Sequence, residues 1–484
     1  MAETAVPKIN PDVSAAGPVD LTRAHFVGIA GTGMLPVARV CAQSGFTVSG
    51  SDSRSAQGLE ELTRLGVDVH VGHASAHVPA GATAVVFTHA VGEDNPEIRE
   101  ARRRGIPLVH RSAVLNALMA TRRTPIAVMG THGKSSTSGM VAFALARMGQ
   151  EPSYVVGADL DGAGSGGHAG KSGFFVAEVD ESDRSHIGVR MRVAVITNIG
   201  HDHLQNYAEQ ADHVDAYEQC VRLGLHENGT LLLNIDSPGC RELASRFAMT
   251  DDGPRVVTFG TSSAAHWRLT EMVSEQGRST AVLRGPDGQE FNLMLRVPGV
   301  HQLLNAAAAI GTLHAVGQDY DLAAQQLRYF DGVARRMTPA GEAAGVRVFD
   351  SYAHHPDEVR ADLAAARSLV VAGGRVVAVF QPSDQARLDA FNVEFGKALA
   401  ACDEVVLTDS THGVALTALE LLSARVRGEG GNARHVLAGR AEAVRYAAVS
   451  ARSGDVVVLM GSGDLVESGP MLLAVLGRVI AAAA

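Results

Sequence analysis

Short apolar runs that break at a glycine, an asparagine or an acid recur along the chain, with helical patterns between them. The first is His25-Phe-Val-Gly-Ile, followed by a glycine turn (Gly28, Gly31, Gly33), a helical pattern to Ser44 and a strand from Phe46 to Gly50 that ends in Ser51-Asp52. Val67 to Val71, Ala84 to Thr88 and Ile106 to His110 read as further strands of a small parallel α/β domain ending near Arg122. A second block opens with the apolar run Ile126 to Met129, breaks at Gly130 and continues as a helix from about Ser135 to Met148. Its later strands are Gly173 to Glu178, Val193 to Thr197 and Leu231 to Ile235. Arg255 to Phe259 and Thr280 to Leu283 predict a β-rich insertion, and Pro298 to Asn305 opens an alanine-rich helix reaching about Val316. The pattern lapses around Gly332 to Arg336, which reads as a hinge. Beyond it, strands at Val346 to Phe349, Val376 to Phe380, Glu404 to Leu407 and Val456 to Met460 alternate with helices such as Pro356 to about Ala372. The expectation is an α/β protein of three domains, 23–122, 123–332 and 333–484, behind a tail of residues 1–22.

Composition narrows the field. Hydrophobic residues at 46% and charged residues at 19% of 484 residues describe an ordinary globular protein. A net charge of −10 argues against a nucleic-acid-binding surface, and no run approaches the ~20 apolar residues of a membrane span. Four dispersed cysteines without a CxxC indicate neither a zinc knuckle nor a disulfide framework. The early residues are Pro/Ala-rich without an apolar core, so no signal peptide is expected, and the expected location is the cytoplasm.

The candidate chemistry centres on Gly130-Thr131-His132-Gly133-Lys134-Ser135-Ser136. A strand, a glycine turn and a helix N-terminus make a phosphate cradle: backbone N–H groups and the helix dipole favour anions, lysine reaches the outer phosphates, and a hydroxyl can hold Mg²⁺. The spacing departs from GxxxxGK[ST], yet Lys134 is one of only four lysines in the chain, which points to a specific need for its ammonium. Glu178 and His203 project from the ends of two strands, so Ser135, Glu178 and His203 form a candidate metal set. An ordinary strand–helix turn with acids that merely cap strands fits the same residues. His301 and Asn305, four apart on one helical face, offer hydrogen-bonding edges to a purine, although a polar helix face is the commoner meaning of such spacing. In the first block, the GxxGxG turn (Gly31, Thr32, Gly33, Met34) and Asp52 after the second strand suit a nucleotide diphosphate, or simply a packed helix–strand turn.

The order of these signals resembles the Mur ligase family: GIAGTGM, GTHGKSS, AEVDESD, NIGHDH, PGVHQLLNA, GVARR, DSYAHHP and FQP follow one another from about residue 23 to the end. The resemblance implies a Rossmann-like N-terminal domain for a UDP-sugar, a central P-loop-type ATPase and a Rossmann-like C-terminal domain that closes over the site. It implies an ATP-dependent amide-bond ligase that activates a carboxylate as an acyl phosphate, expected to join L-alanine to UDP-N-acetylmuramate for peptidoglycan. By the same resemblance, Lys134 and the loop amides hold phosphates; Ser135, Glu178 and His203 hold Mg²⁺ or Mn²⁺; His301 and Asn305 contact adenine. Arg336 is a hinge arginine, Asp350 a ribose contact, His354 lies near the acyl phosphate with His355, and Arg387, beside Ser383, captures the amino acid's carboxylate. Partners are then small molecules, a nucleotide-sugar carboxylate or another acid and an amino acid, with no nucleic acid or membrane, for a monomer or homodimer.

Departures from the family pattern gather in the substrate pockets: Leu35-Pro36 after the first glycine turn, Thr88-His89-Ala-Val91 after the fourth strand, Phe380-Gln-Pro-Ser-Asp384 and Asp409-Ser-Thr-His412 in the third domain. Asp384 would favour a basic or polar acceptor. A paralogue joining a different acid and amine in secondary metabolism, and a non-catalytic nucleotide sensor, are the competing readings.

Overall fold

The computed structural model describes residues 19–55, 57–160, 166–249, 253–409 and 413–483. Most of the expected tail, part of the glycine-rich loop Gly157 to Gly170, and Ser410 to His412 lie outside the described residues.

Three sheets carry the chain, as the alternation of runs predicts. β1 (Arg23–Val27), β2 (Thr47–Asp52), β3 (Asp68–Val71), β4 (Ala84–Phe87) and β5 (Leu108–His110) form a parallel sheet in the order β3-β2-β1-β4-β5. The order reverses between β1 and β4, so the loops leaving their carboxyl ends, Gly28–Met34 and Thr88–His89, flank the crevice where open α/β sheets take ligands. Helix Pro96–Arg104, capped by Asn95, places the Glu97 carboxylate inside this domain with no exposure. Glu97 accepts from Ser51 Oγ at 2.5 Å and the Ala74 N–H at 3.1 Å, with His25 Nε2 at 3.4 Å. Burial alone would raise its pKa; the bonds from His25 and Ser51 outweigh that and hold it at about 2.

The second sheet contains β6 (Thr124–Met129), β7 (Ser153–Val155), β8 (Gly167–His168), β9 (Phe174–Glu178), β10 (Met191–Ile196), β11 (Leu225–Asn234), β12 (Arg255–Gly260), β13 (Trp267–Glu275), β14 (Arg278–Arg284) and β15 (Glu290–Leu295). Its order is β15-β14-β13-β12-β11-β10-β6-β9-β7-β8. β6, β9 and β10 are parallel and almost wholly buried, as expected of apolar runs sandwiched between helices. Register matters here: Val128 pairs with Glu178 and Met129 with Ile196, so all three strands end at one level, beside the turn that follows β6.

The third sheet runs β16-β17-β21-β18-β19-β20, from β16 (Arg336–Ala343), β17 (Val346–Ser351), β18 (Val376–Phe380), β19 (Glu404–Thr408), β20 (His435–Leu437) and β21 (Val456–Met460). It is parallel except for β16, which pairs antiparallel with β17 at the edge. β16 contains Pro339 and Gly341, residues an edge strand tolerates; it begins at Arg336, where the expected hinge Gly332 to Arg336 ends, and the sequence pattern does not show it as a strand.

By contacts the chain falls into two units. One runs to Leu269 and takes in Leu283–Phe291 and Leu304–Leu327; the other consists of Thr270–Val282, Asn292–Leu303 and the chain from Arg328. No helix among the described residues is long and apolar enough to cross a membrane. All four cysteines are free and buried, and burial pushes each thiol up to about 12, so none is poised as a nucleophile.

Candidate active site

The helix after β6 spans Lys134–Arg147, one residue earlier than its pattern predicts, and is buried on nearly every side. Its N-cap is Gly133, at φ +84°, which supplies no side-chain cap. A Cβ there would stand 2.6 Å from Asn305 Oδ1. Gly130, at φ +125°, sits where a Cβ would run into Thr197 Oγ1. Both glycines are therefore required by backbone conformation and by space. The first-turn N–H groups have no capping side chain, the state in which a helix terminus receives an anion. The turn itself is pinned from β10's end: Thr131 N–H donates to Asn198 O at 3.1 Å, His132 N–H to Asn198 Oδ1 at 3.0 Å, and Gly200 N–H to Thr131 Oγ1 at 2.8 Å. Thr137 Oγ1 donates to Asn305 Oδ1 at 3.3 Å, so Asn305 packs against this turn from helix Val300–Ala315, and Ser136 is buried beside it.

Lys134 Nζ lies 3.0 and 2.9 Å from the two oxygens of Glu181, 2.6 Å from Gly130 O and 3.2 Å from Thr131 O. Burial works to lower the lysine's pKa, but Glu181, Asp180 and Glu178 raise it overall, so the ammonium stays charged. Glu181 is only 1% exposed, and burial pushes it up to about 7 against the pull of Lys134. Glu178 Oε1 accepts from Ser135 Oγ at 3.0 Å, and Oε2 accepts from the Gly157 N–H at 2.7 Å. His203, at φ +53°, has Nε2 3.8 Å from both Glu181 and Asp202. Asp180, Glu181 and His203 cluster closely enough to share a cation. Of the expected metal set, then, Ser135 and Glu178 meet directly, while His203 meets acids the sequence reading left unassigned. The run Asp180-Glu181-Ser182-Asp183 was itself the available signal.

The first domain reaches this run. Arg111 Nη2 donates to Asp180 Oδ2 at 2.6 Å, and its guanidinium lies so close to Gly33 that a Cβ there would stand 2.5 Å from Nη1. His89 Nδ1 and His110 Nε2 each lie 3.3 Å from Asp183 Oδ2. Burial would raise Asp183, but His110, His89 and the Ser185 N–H outweigh it and hold the carboxylate well below the usual range. Asp52 Oδ2 accepts the Ala30 N–H at 3.0 Å, tying the glycine turn to β2. Within that turn Gly31 and Thr32 are exposed and Met34 is buried; Thr88 Oγ1 accepts the Ala90 N–H at 3.0 Å. Pro36 falls in the first turn of helix Leu35–Gln43, where the missing N–H had no intrahelical partner.

In the second unit, His301 Nε2 lies 3.8 Å from Asp362 Oδ1, and burial together with Arg336 pushes the imidazole down to about 4. Arg336 pairs with Glu358 at 3.1 Å and lies over the Tyr352 ring. Asp350 Oδ1 is buried with no hydrogen-bond partner among the described residues, and burial pushes the carboxyl up to about 6 against Arg335. His354 Nδ1 lies 2.9 Å from Tyr352 O, and His355 caps helix Pro356–Leu369. Arg387 lies on the short helix Gln385–Ala390, with Nη1 donating to Ser383 Oγ at 3.3 Å. Asp384 has a local role: its Oδ1 accepts the Arg387 N–H at 2.8 Å and its Oδ2 accepts Ser383 Oγ at 2.8 Å. It caps the helix, with one bond to each oxygen.

Residues 23–123 match the Mur ligase family catalytic domain, 128–313 the Mur ligase middle domain and 335–463 the Mur ligase glutamate ligase domain. The chain belongs to the Mur ligase family and is an ATP-dependent, amide-bond-forming ligase. Among its relatives, UDP-N-acetylmuramate–L-alanine ligase of Streptomyces avermitilis is 41% identical over 94% of this chain and 98% of its own length. The enzyme of the same name from Mycolicibacterium gilvum is 41% identical over 95% and 98%. The crystal structure of UDP-N-acetylmuramate-alanine ligase from Thermotoga maritima superposes with a TM-score of 0.80 at 28% identity, covering 95% of this chain and 99% of that one.

Proposed function

We propose that this ligase joins L-alanine to the carboxylate of UDP-N-acetylmuramate, cleaving ATP to ADP and phosphate, in the cytoplasm and as a monomer or homodimer. The observation that carries the reading is the phosphate cradle: an uncapped helix N-terminus, the part-buried Lys134 at its first position, and a hydroxyl–carboxylate pair, Ser135 and Glu178. The named relatives, similar over nearly their whole length, supply the substrates. We assign donor binding to 23–122 behind the tail 1–22, nucleotide binding to 123–332 and acceptor binding to 333–484.

A donor carboxylate oxygen attacks the γ-phosphorus of ATP and ADP leaves; the alanine amine then attacks the acyl carbon, phosphate leaves, and the amine's proton is lost. Such transfer needs alignment and charge neutralisation more than covalent help from the protein. The N–H groups of Gly133, Ser135 and Ser136 orient the phosphates over a turn shaped by Gly130 and held to Asn198 through Thr131 and His132, and Lys134 offsets the charge that moves toward ADP. Ser135, Glu178 and His203 present hard oxygen donors and an imidazole suited to Mg²⁺ or Mn²⁺, which when bound draws charge from the phosphate oxygens. His301 and Asn305 take the adenine, Asp350 the ribose, and Arg336 steadies the hinge. Gly31, Thr32, Gly33, Met34, Asp52, Thr88 and His89 receive the donor. Arg387 with Ser383 holds the alanine carboxylate, a bidentate use of guanidinium, and His354 faces the amine's proton.

The test is ATP-dependent phosphate release with UDP-N-acetylmuramate against alanine, glycine, serine and a set of polar and basic amino acids. Release with alanine and a product of matching mass supports the reading. Release only with another acceptor, or none from protein shown to bind ATP, moves it to a paralogue with other substrates.

A further inference from the structure

The turn Asp180–Asp183 touches two sites at once. Its outer acids face the first domain: Asp180 takes Arg111, whose guanidinium lies against Gly33, and Asp183 takes His89 and His110. Its middle acid, Glu181, faces the other way and holds Lys134 through both oxygens. The turn is short and stiff. Ser182 N–H donates to Asp180 Oδ1 at 3.0 Å, Ser185 N–H to Asp183 Oδ1 at 3.0 Å, and Tyr207 OH to Glu181 O at 2.7 Å. With Asp183 only 4% exposed on its side chain and His110 fully buried, the contact is a packed one and not a surface ion pair.

Lysine has three N–H donors, and in this structure four oxygens already surround Nζ. A phosphate oxygen reaching Lys134 must therefore displace one of them, and Glu181, the only side chain among them, is the one whose release leaves the loop backbone in place. On the other side, an anion settling on the Gly31–Gly33 turn and Thr88–His89 competes with Asp180 and Asp183 for Arg111 and His89. His89 is the member of the clasp open to such a ligand, its side chain being 37% exposed.

We propose that Asp180 and Asp183 are positioning residues that couple donor binding to the release of Lys134 from Glu181. Donor arrival loosens the outer clasp, the turn shifts, and Lys134 becomes available to phosphate. Binding of donor and nucleotide is then cooperative, and by linkage each tightens the other equally. The inference rests on the donor site proposed above.

Calorimetric titration of the full chain with Mg²⁺ and a non-hydrolysable ATP analogue, with and without saturating UDP-N-acetylmuramate, tests it. In the unaltered protein the donor tightens the analogue at least about fivefold. Asp183→Asn brings that ratio below about twofold while the analogue alone binds no more weakly than to the parent; the less buried Asp180→Asn, which also removes a member of the cation cluster, is read by the ratio alone and brings it equally low. Asp180→Asn carries the test if Asp183→Asn does not fold. A merely structural role weakens the analogue in both conditions and leaves the ratio intact, and that result overturns the proposal. Parent protein that binds both ligands without coupling also overturns it, with the functional reading untouched. Parent protein that binds the analogue but not the donor removes the functional reading, and the proposal falls with it.

Discussion

The phosphate loop and the Arg387 helix are built to different standards. At the loop, two glycines are fixed by both φ and space, Lys134 has four oxygens around it, and Ser135 and Glu178 meet at 3.0 Å. At Gln385–Ala390, six residues of helix hold Arg387, steadied by the Asp384 cap and a 3.3 Å bond to Ser383. The difference follows from what each must do. Charge moving between phosphate and ADP rewards groups that are already oriented, whereas recognition of a small amino acid needs one well-placed cation on a segment free to vary.

That contrast can be broken at several points. Lys134→Met should cost most, lowering phosphate release by about 10³-fold or more while Glu181 is left buried without its cation; steady-state rates at saturating ATP check it. Glu97 gives a buried charge inside the first domain. Its folded pKa of about 2 lies below the ordinary 4.5, so its contribution is complete above that ordinary value and is lost as pH falls toward 2. Glu97→Gln should therefore cost of the order of 3 kcal/mol at pH 7 in urea unfolding, with the gap to the parent closing between pH 5 and pH 2. Gly133→Ala meets Asn305 as well as an unfavourable φ and should cost about 2 kcal/mol, against about 1 kcal/mol for Gly45→Ala, which has a similar φ and open space. Arg387→Lys should raise the alanine KM about tenfold with the ATP KM unchanged. Asp384→Ala should remove a cap worth about 1 kcal/mol without changing which amino acid is accepted.

The sequence made the rigid end legible because its signals are local. A strand, two glycines, a lysine and the start of a helix lie within a dozen residues, and the apolar runs of β6, β10, β18 and β21 declare buried parallel strands. What escaped depends on distant pairing. β7 and β8, of three and two residues, are too short to show any period, and β16 carries a proline and a glycine that an edge position forgives. Glu181, Asp180 and Asp183 stood in plain view as an acidic run, yet their partners Lys134, Arg111, His89 and His110 lie 47 to 94 positions away. Only the fold says which acid faces which cation. Asp384 shows the converse: the structure gives it a cap on its own helix that the acid alone did not announce.

The account turns on direct transfer of phosphate to the donor carboxylate. UDP-N-acetylmuramate carrying ¹⁸O in that carboxylate, incubated with the enzyme, ATP, Mg²⁺ and L-alanine, tests it most directly. An acyl phosphate predicts that each phosphate released carries one ¹⁸O from the donor, with the amide retaining the other. Phosphate free of ¹⁸O, released in step with product, would contradict it.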